Sequence, residues 1–176
     1  MKQIFKLKFS FTLISHSLKS IFYRYHSDKI KIIKQLIPRP EVVIDVGAHA
    51  GQVSKMISRA FSKKVKIIAI EPGLYARFIL RLSIFFNRLN NIDVLPFAVS
   101  DEQGFSFLNI PEKRKNSLGF GLSHMSNNHE DFTDRNFKTH YDYVSVTTID
   151  KIVNDLELQS VDFIKIDIEG FEYKAL

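Results

Sequence analysis

The stretch Val42 to Gly51, VVIDVGAHAG, decides how this chain is to be read. An apolar, β-branched run that suits a buried strand reaches Asp45, and two glycines then follow four positions apart, Gly47 and Gly51. A parallel strand feeding a helix must turn sharply at its carboxyl end, and glycine permits positive φ or close backbone approach there. The helix that follows offers unpaired N–H groups. The G-x-x-x-G spacing is neither the dinucleotide G-x-G-x-x-G nor a P-loop, which needs a Gly-Lys-Ser/Thr ending. With no lysine or Ser/Thr at that place, the turn reads as a site for a nucleoside without a polyphosphate. Taken alone, the same glycines would also serve an ordinary strand-to-helix turn.

Outward from this turn the pattern alternates strands and helices. Four apolar runs stand out, Val42–Val46, Val65–Ile70, Ile92–Val99 and Val161–Ile168. They are nearly continuous rather than alternating, as expected of strands buried on both faces of a parallel sheet. Gln52–Phe61 and Leu74–Leu89 supply the crossover helices, so right-handed connections make the first three strands neighbours. The expectation is an α/β, Rossmann-like, mostly parallel sheet between helical layers. Phe105–Ile110 and Tyr143–Thr147 read as added strands, and a helix begins near Asp150. Between them, residues 111–142 form a polar insertion of the kind that makes a lid, a substrate loop or disorder. Its His124, His129 and His140 are too widely spaced for a metal set, so no metal is expected.

In such a sheet the ligand lies beyond the carboxyl ends of the strands. The second strand ends in Glu71-Pro72, an acid 24 residues beyond Gly47. That is about the offset, roughly 20 residues, at which a carboxylate takes ribose hydroxyls, and it would repel a 2′-phosphate. The third ends in Ala98-Val99-Ser100-Asp101, small and apolar enough to line an adenine pocket. The fourth ends in Lys165-Ile166-Asp167-Ile168-Glu169-Gly170-Phe171-Glu172, with Lys165 and Asp167 on one strand face. A lysine in an apolar strand is expensive to bury unpaired, so Asp167 or a neighbouring acid is its expected partner. Glu169 and Glu172 read equally well as acids stabilised at a helix amino terminus.

These segments together, D-V-G-A-H-A-G at Asp45–Gly51, I-E-P at Ile70–Pro72, A-V-S-D at Ala98–Asp101, T-I-D at Thr148–Asp150 and K-I-D-I-E-G-F-E at Lys165–Glu172, resemble the FkbM-type S-adenosylmethionine-dependent methyltransferases. Order and spacing agree over residues 42–176, and the last segment is the most specific. The resemblance implies a class I methyltransferase fold with S-adenosylmethionine as cofactor. It places Asp45, Gly47, Ala48 and Gly51 near the methionine moiety, Glu71 with Pro72 on the ribose, and Ala98, Val99 and Ser100 near adenine. The acceptors it implies are hydroxyls of sugars, glycolipids, polysaccharides or natural products. Asp167 would position or deprotonate the acceptor hydroxyl, with Lys165 tuning its charge. Such a fold resembles a seven-stranded sheet, whereas this chain stops at Leu176, so the expectation is a sheet incomplete at its C-terminal strands. The competing readings are a non-catalytic cofactor-binding remnant, a membrane-associated interaction module and an NAD-dependent oxidoreductase, the last weakened by the incomplete glycine fingerprint.

Charge divides the 176 residues. Residues 1–40 carry nine Lys/Arg against one acid, and the remainder carries 16 against 18, so the basic character belongs to an amino-terminal arm rather than to the domain at 41–176. The near-neutral domain has no basic excess to meet a phosphate backbone, which argues against nucleic acid. In the arm, Ile4, Leu7, Phe11, Ile14, Leu18, Ile21 and Tyr25 make one stripe of a helix, with Lys6, Lys8, Ser10, Thr12, Ser15 and Lys19 on its other faces. Packing of the stripe on the domain or on a second copy is the expected use, ahead of contact with anionic lipid. No stretch is apolar for the ~18 residues that a span needs, and no secretory cleavage site follows it. Asp28–Leu36 reads as a second helix ended by Pro38 and Pro40. Absence of cysteine fits a cytoplasmic protein, peripheral to the membrane if the arm binds lipid.

Overall fold

The computed structural model describes residues 13–22, 27–113, 117–118, 124–126, 139–168 and 170–176. Helix α1 covers residues 13–22 and α2 covers Ser27–Leu36. Strand β1 (Val42–Val46), helix α3 (Gln52–Ala60), strand β2 (Lys66–Ile70), helix α4 (Leu74–Asn87) and strand β3 (Ile92–Leu95) then alternate as the hydrophobic pattern requires. β9 (Phe163–Ile166) returns to lie beside β1. The parallel sheet therefore runs β3-β2-β1-β9, and the strand order reverses between β1 and β9. Crevices at such a reversal are where open α/β sheets bind ligands.

The two faces of this sheet explain the continuous apolar runs. Val43, Ile67 and Ala69 pack with Ile57 of α3 and Leu80 of α4 on one face. Ile44, Val46, Ile68 and Ile70 pack on the other face with Ile152 of α5 (Ile149–Asp155). Most of these side chains are 0–1% exposed, so the apolar residues of β1 and β2 are covered on both faces of the sheet. Thr148 accepts a hydrogen bond from Lys151 N at 3.1 Å and caps α5, which accounts for the T-I-D segment locally.

The run read as one strand over Ile92–Val99 divides in the structure. Pro96 has no N–H to donate, and the chain leaves the parallel sheet after Leu95. Ala98–Val99 becomes β4, which pairs with β8 (Thr139–Thr147) in a second, mixed sheet. That sheet also contains β5 (Gly104–Lys113), β6 (Ser117–Leu118) and β7 (His124–Ser126). β5 and β8 are antiparallel from Gly104↔Val146 to Pro111↔Thr139, so strand pairing extends well into the stretch read as an irregular insertion. His129 lies outside the described residues. After β9, residues 170–174 form turns where the sequence reading placed a helix.

The arm is also arranged differently from its pattern. α1 does lie on the domain, but Ser17 and Ser20 are its buried residues while Ile14, Leu18 and Phe22 are 55%, 49% and 74% exposed. The stripe residues Ile4, Leu7, Phe11 and Tyr25 lie outside the described residues. The helix is held through polar contacts: Ser20 Oγ donates to the Ala50 carbonyl at 2.7 Å, and Ser83 Oγ donates to the Ser20 carbonyl at 3.1 Å. Lys55 Nζ donates to the carbonyls of Ser20 and Ile21, and Asn87 Nδ2 donates to the latter at 3.3 Å. A cation and two neutral donors thus satisfy carbonyls at the end of α1, where they are otherwise orphaned. At the other end Tyr75 Oη and His16 Nδ1 are 3.1 Å apart.

Burial of Lys55, with Arg59 nearby, lowers its amine to about 8. The folded state then binds this proton less tightly than the unfolded chain, whose lysine titrates near 10.4. This group's contribution to stability is least favourable below pH 8 and rises between about 8 and 10.4. Denaturant unfolding across that interval should show a positive slope that Lys55→Gln removes, and equal slopes would refute the lowered value.

Candidate functional site

The site begins with three left-handed residues in five. Gly47, His49 and Gly51 have φ of 69°, 50° and 80°. Gly47 N and Ala48 N both donate to the Ile70 carbonyl at 3.0 Å, and Gly51 N donates to the Ala48 carbonyl at 2.8 Å, closing the turn before α3 starts. A Cβ on Gly47 would lie 2.1 Å from the Asp167 carbonyl oxygen, and one on Gly51 would lie 2.2 Å from Leu80 Cδ1. Glycine is therefore demanded at both places by the chain's own packing as well as by φ. Histidine at positive φ is uncommon but tolerated better than most side chains.

Under this turn sits a buried ion pair. Asp45 is 0% exposed and lies across from Lys165 in the β1–β9 register. Lys165 Nζ is 3.2 Å from Asp45 Oδ1, and it donates to the carbonyls of Val46 and Gly47 at 3.2 and 3.0 Å. Asp167 Oδ2 is further away, at 3.7 Å. Ser54 Oγ donates to the other Asp45 oxygen at 2.5 Å, which ties α3 to the strand end. Burial raises the Asp45 carboxyl above its ordinary range, with Lys165 and the Ser54 hydrogen bond opposing it. The sequence reading gave Lys165 an acidic partner, and the nearer one is Asp45 rather than Asp167.

Glu71 stands at the end of β2 and is 8% exposed. Its Oε2 accepts from His49 N and its Oε1 from Gly73 N, each at 2.8 Å, so one carboxylate joins the glycine turn to the β2–α4 turn. Arg77 Nη1 donates to the carbonyls of Glu71 and Pro72 at 2.9 and 2.7 Å and fixes the second turn. Burial raises the Glu71 carboxyl, against the pull of the two backbone donors. His49 is held below its usual range by burial and by the nearby positive charge of His16 and Lys165, with Asp167 opposing. Its Nε2 is buried without a hydrogen-bond partner among the described residues.

The predicted site residues thus fall into three groups. Gly47, Glu71, Pro72, Lys165 and Asp167 gather at the β1, β2 and β9 ends, with Asp167 exposed and Lys165 committed to the turn above it. Asp45, Ala48 and Gly51 are buried beneath or behind that turn and shape it. Ala98 and Val99 are 4% and 2% exposed and belong to core clusters, while Ser100 lies at the rim of a separate cleft of about 220 Å³ lined by Asp101, Phe105, Val146, Phe171 and Lys174. Glu172 accepts from Ile168 N and Gly170 N, each at 3.0 Å, and so braces the turn after β9; Glu169 lies outside the described residues. Sequence reasoning missed His49, Ser54 and Arg77. Only His49 carries a local signal, its place between the two glycines. Among the described residues no group of three His, Asp or Glu side chains is placed to hold a metal ion.

Two pairs of substitutions test this construction. Lys165→Met should cost about 3–5 kcal/mol, because it leaves Asp45 buried without its cation. Its folded-state carboxyl rises further, so unfolding measurements should show stability falling with increasing pH to a higher limit than in the wild type; Asp45→Asn added to it should restore part of the loss and flatten the slope. Gly47→Ala should cost more than Gly51→Ala, since a backbone oxygen cannot move aside as the tip of Leu80 can; thermal melts of the two would reverse that order if the packing is wrong.

A search of curated proteins finds no match to the chain. Among solved structures it aligns with a proposed O-methyltransferase from Klebsiella pneumoniae at 7% identity and a TM-score of 0.37, covering 48% of this chain and 40% of that one. It also aligns with the plantazolicin methyltransferase BpumL, solved in complex with SAH, at 15% identity and a TM-score of 0.29, covering 54% of this chain and 44% of that one. The aligned part spans less than half of either structure, and the assignment rests on the family match instead. Residues 45–176 match the family described as the Methyltransferase FkbM domain, which starts at the buried aspartate of the glycine turn and includes the β9 segment. The chain belongs to the FkbM methyltransferase domain family.

Proposed function

We propose that this protein binds S-adenosylmethionine at the β1, β2 and β9 ends and transfers its methyl group to a hydroxyl of a sugar, glycolipid, polysaccharide or natural product. The observation that carries the reading is Glu71. Its carboxylate is oriented by two backbone N–H groups, yet each oxygen keeps a further lone pair for a donor. A ribose cis-diol supplies two such donors with matching charge-assisted bonds. The residues present fit the group in a second way: the turn beside Glu71 holds no Lys, Ser or Thr for a polyphosphate, while His49 Nε2 is a buried nitrogen awaiting a partner. Bound there, the cofactor supplies an electrophilic methyl on a sulfonium.

Asp167, with a side chain 72% exposed, stands at the β9 end where it would meet an incoming acceptor. As general base it would take the hydroxyl proton, so that the acceptor oxygen could bond to the methyl carbon as the carbon–sulfur bond breaks and the sulfonium leaves as a neutral thioether. Lys165 Nζ lies 3.7 Å from its Oδ2. Family membership and the strand-order reversal at β1 and β9 support the same reading.

Calorimetric titration with S-adenosylmethionine, with NAD as comparison, tests the cofactor. Binding of the former alone is expected, weakened about 10- to 100-fold by Glu71→Gln in line with loss of a charged acceptor; the amide also gives up one of the two backbone N–H bonds, so the melting temperature should fall while the chain stays folded. Binding of neither would favour a non-catalytic remnant. Asp167→Asn should keep cofactor affinity and lower methyl transfer to hydroxyl acceptors by about 100-fold or more; normal turnover would remove Asp167 from the role.

A further inference from the structure

The inverted packing of α1 leaves an outward surface. A helix docked on a domain normally turns its apolar stripe inward. Here the small polar side chains Ser17 and Ser20 face the domain, and the helix is anchored by hydrogen bonds to Ala50, Lys55, Ser83 and Asn87. Ile14, Leu18 and Phe22, spaced four apart, make an exposed row on the other side. The docking cannot be what those three side chains are for. Exposing them costs solvation free energy in the isolated protein, which a second apolar phase would recover.

The surrounding charge says what that phase is. Residues 1–40 hold nine Lys/Arg and one acid, while the rest of the chain is slightly acidic. Lys19 stands exposed on α1 itself, and Lys31, Lys34 and Arg39 are exposed further along the arm. A second copy of the chain would bring a second arm of net charge +8 against the first, which opposes self-association through this surface. An anionic bilayer interface satisfies both features, since it receives apolar side chains below the headgroups and cations among them.

We propose that α1 is an interfacial membrane anchor whose Ile14, Leu18 and Phe22 insert into an anionic lipid surface. Its other face is bonded to the glycine turn through Ser20 and Ala50, so the anchor holds that turn roughly one helix diameter, about 10 Å, from the headgroups. The anchor itself stands independently of the methyltransferase reading. Joined to that reading, it favours acceptors borne on or near lipid.

Co-sedimentation of the full chain with phosphatidylcholine vesicles, with and without phosphatidylglycerol, tests it. Pelleting is expected with phosphatidylglycerol and should fall as salt is raised. The triple variant Ile14→Gln, Leu18→Gln, Phe22→Gln should partition roughly 100-fold less, as expected when about three exposed apolar side chains are lost. These side chains are exposed, so its melting temperature and its titration with S-adenosylmethionine should match the wild type; that second titration separates failure of the anchor from failure of the cofactor site. Equal pelleting of wild type and triple variant, or no phosphatidylglycerol-dependent pelleting, would overturn the proposal. So would a wild-type dimer in analytical ultracentrifugation that the triple variant loses, since the occupant would then be a second copy.

Discussion

A single buried ion pair sets the geometry on which the rest of the site depends. Asp45 and Lys165 occupy matching positions in β1 and β9, and their separation of 3.2 Å holds the two strands level at the strand-order reversal. Charges this deep are costly to desolvate and persist only when their remaining hydrogen-bonding capacity is met. Here Ser54 takes one Asp45 oxygen and the carbonyls of Val46 and Gly47 take the lysine donors. The pair thereby fixes three things at once: the start of α3, the carbonyl end of β1 and the height of β9.

Above that pair, the glycine turn is shaped by its own chain before any ligand is considered. The carbonyl of Asp167 occupies the space a side chain at Gly47 would need, and Leu80 occupies that at Gly51. Glu71 then reaches across from β2 and accepts the His49 N–H, so the turn is clamped from beneath by a charge pair and from the side by a carboxylate. This is preorganisation in a plain sense: the acceptor oxygens of Glu71 are oriented by backbone donors rather than by a mobile partner. The same rigid turn carries the Ala50 carbonyl that receives α1, so the arm is built onto the site rather than appended to the domain at a distance.

Much of this was legible from the residues. Continuous β-branched runs identify β1, β2 and β9 because strands covered on both faces have no polar side to show. The periodic segments give α3 and α4 to within two residues at their ends. Glu71 and Lys165 stand out because a charge at the end of, or within, an apolar strand needs a reason. The family resemblance follows from the order of those segments and agrees with the match over residues 45–176. The break at Pro96 was readable in principle, since proline has no N–H to give to a strand ladder, but the apolar residues on either side of it concealed the boundary.

What the sequence by itself determined is the set of local preferences: which segments are strands or helices, where the chain must turn, and which charges are out of place. It could not determine partners, because hydrophobic periodicity names a face without naming what the face meets. Lys165 is two residues from Asp167 and 120 from Asp45, yet the register of β1 against β9 selects Asp45. The apolar stripe of α1 pointed inward by pattern, and the structure turns it outward because Ala50, Lys55, Ser83 and Asn87 offer polar groups that only Ser20 and the end of the helix can meet. Ala98 and Val99 look like pocket residues in the sequence and are core residues in the fold, since the chain crosses to a second sheet after Leu95. Those choices are made by long-range packing, where complementary groups far apart in the chain are brought within reach of one another.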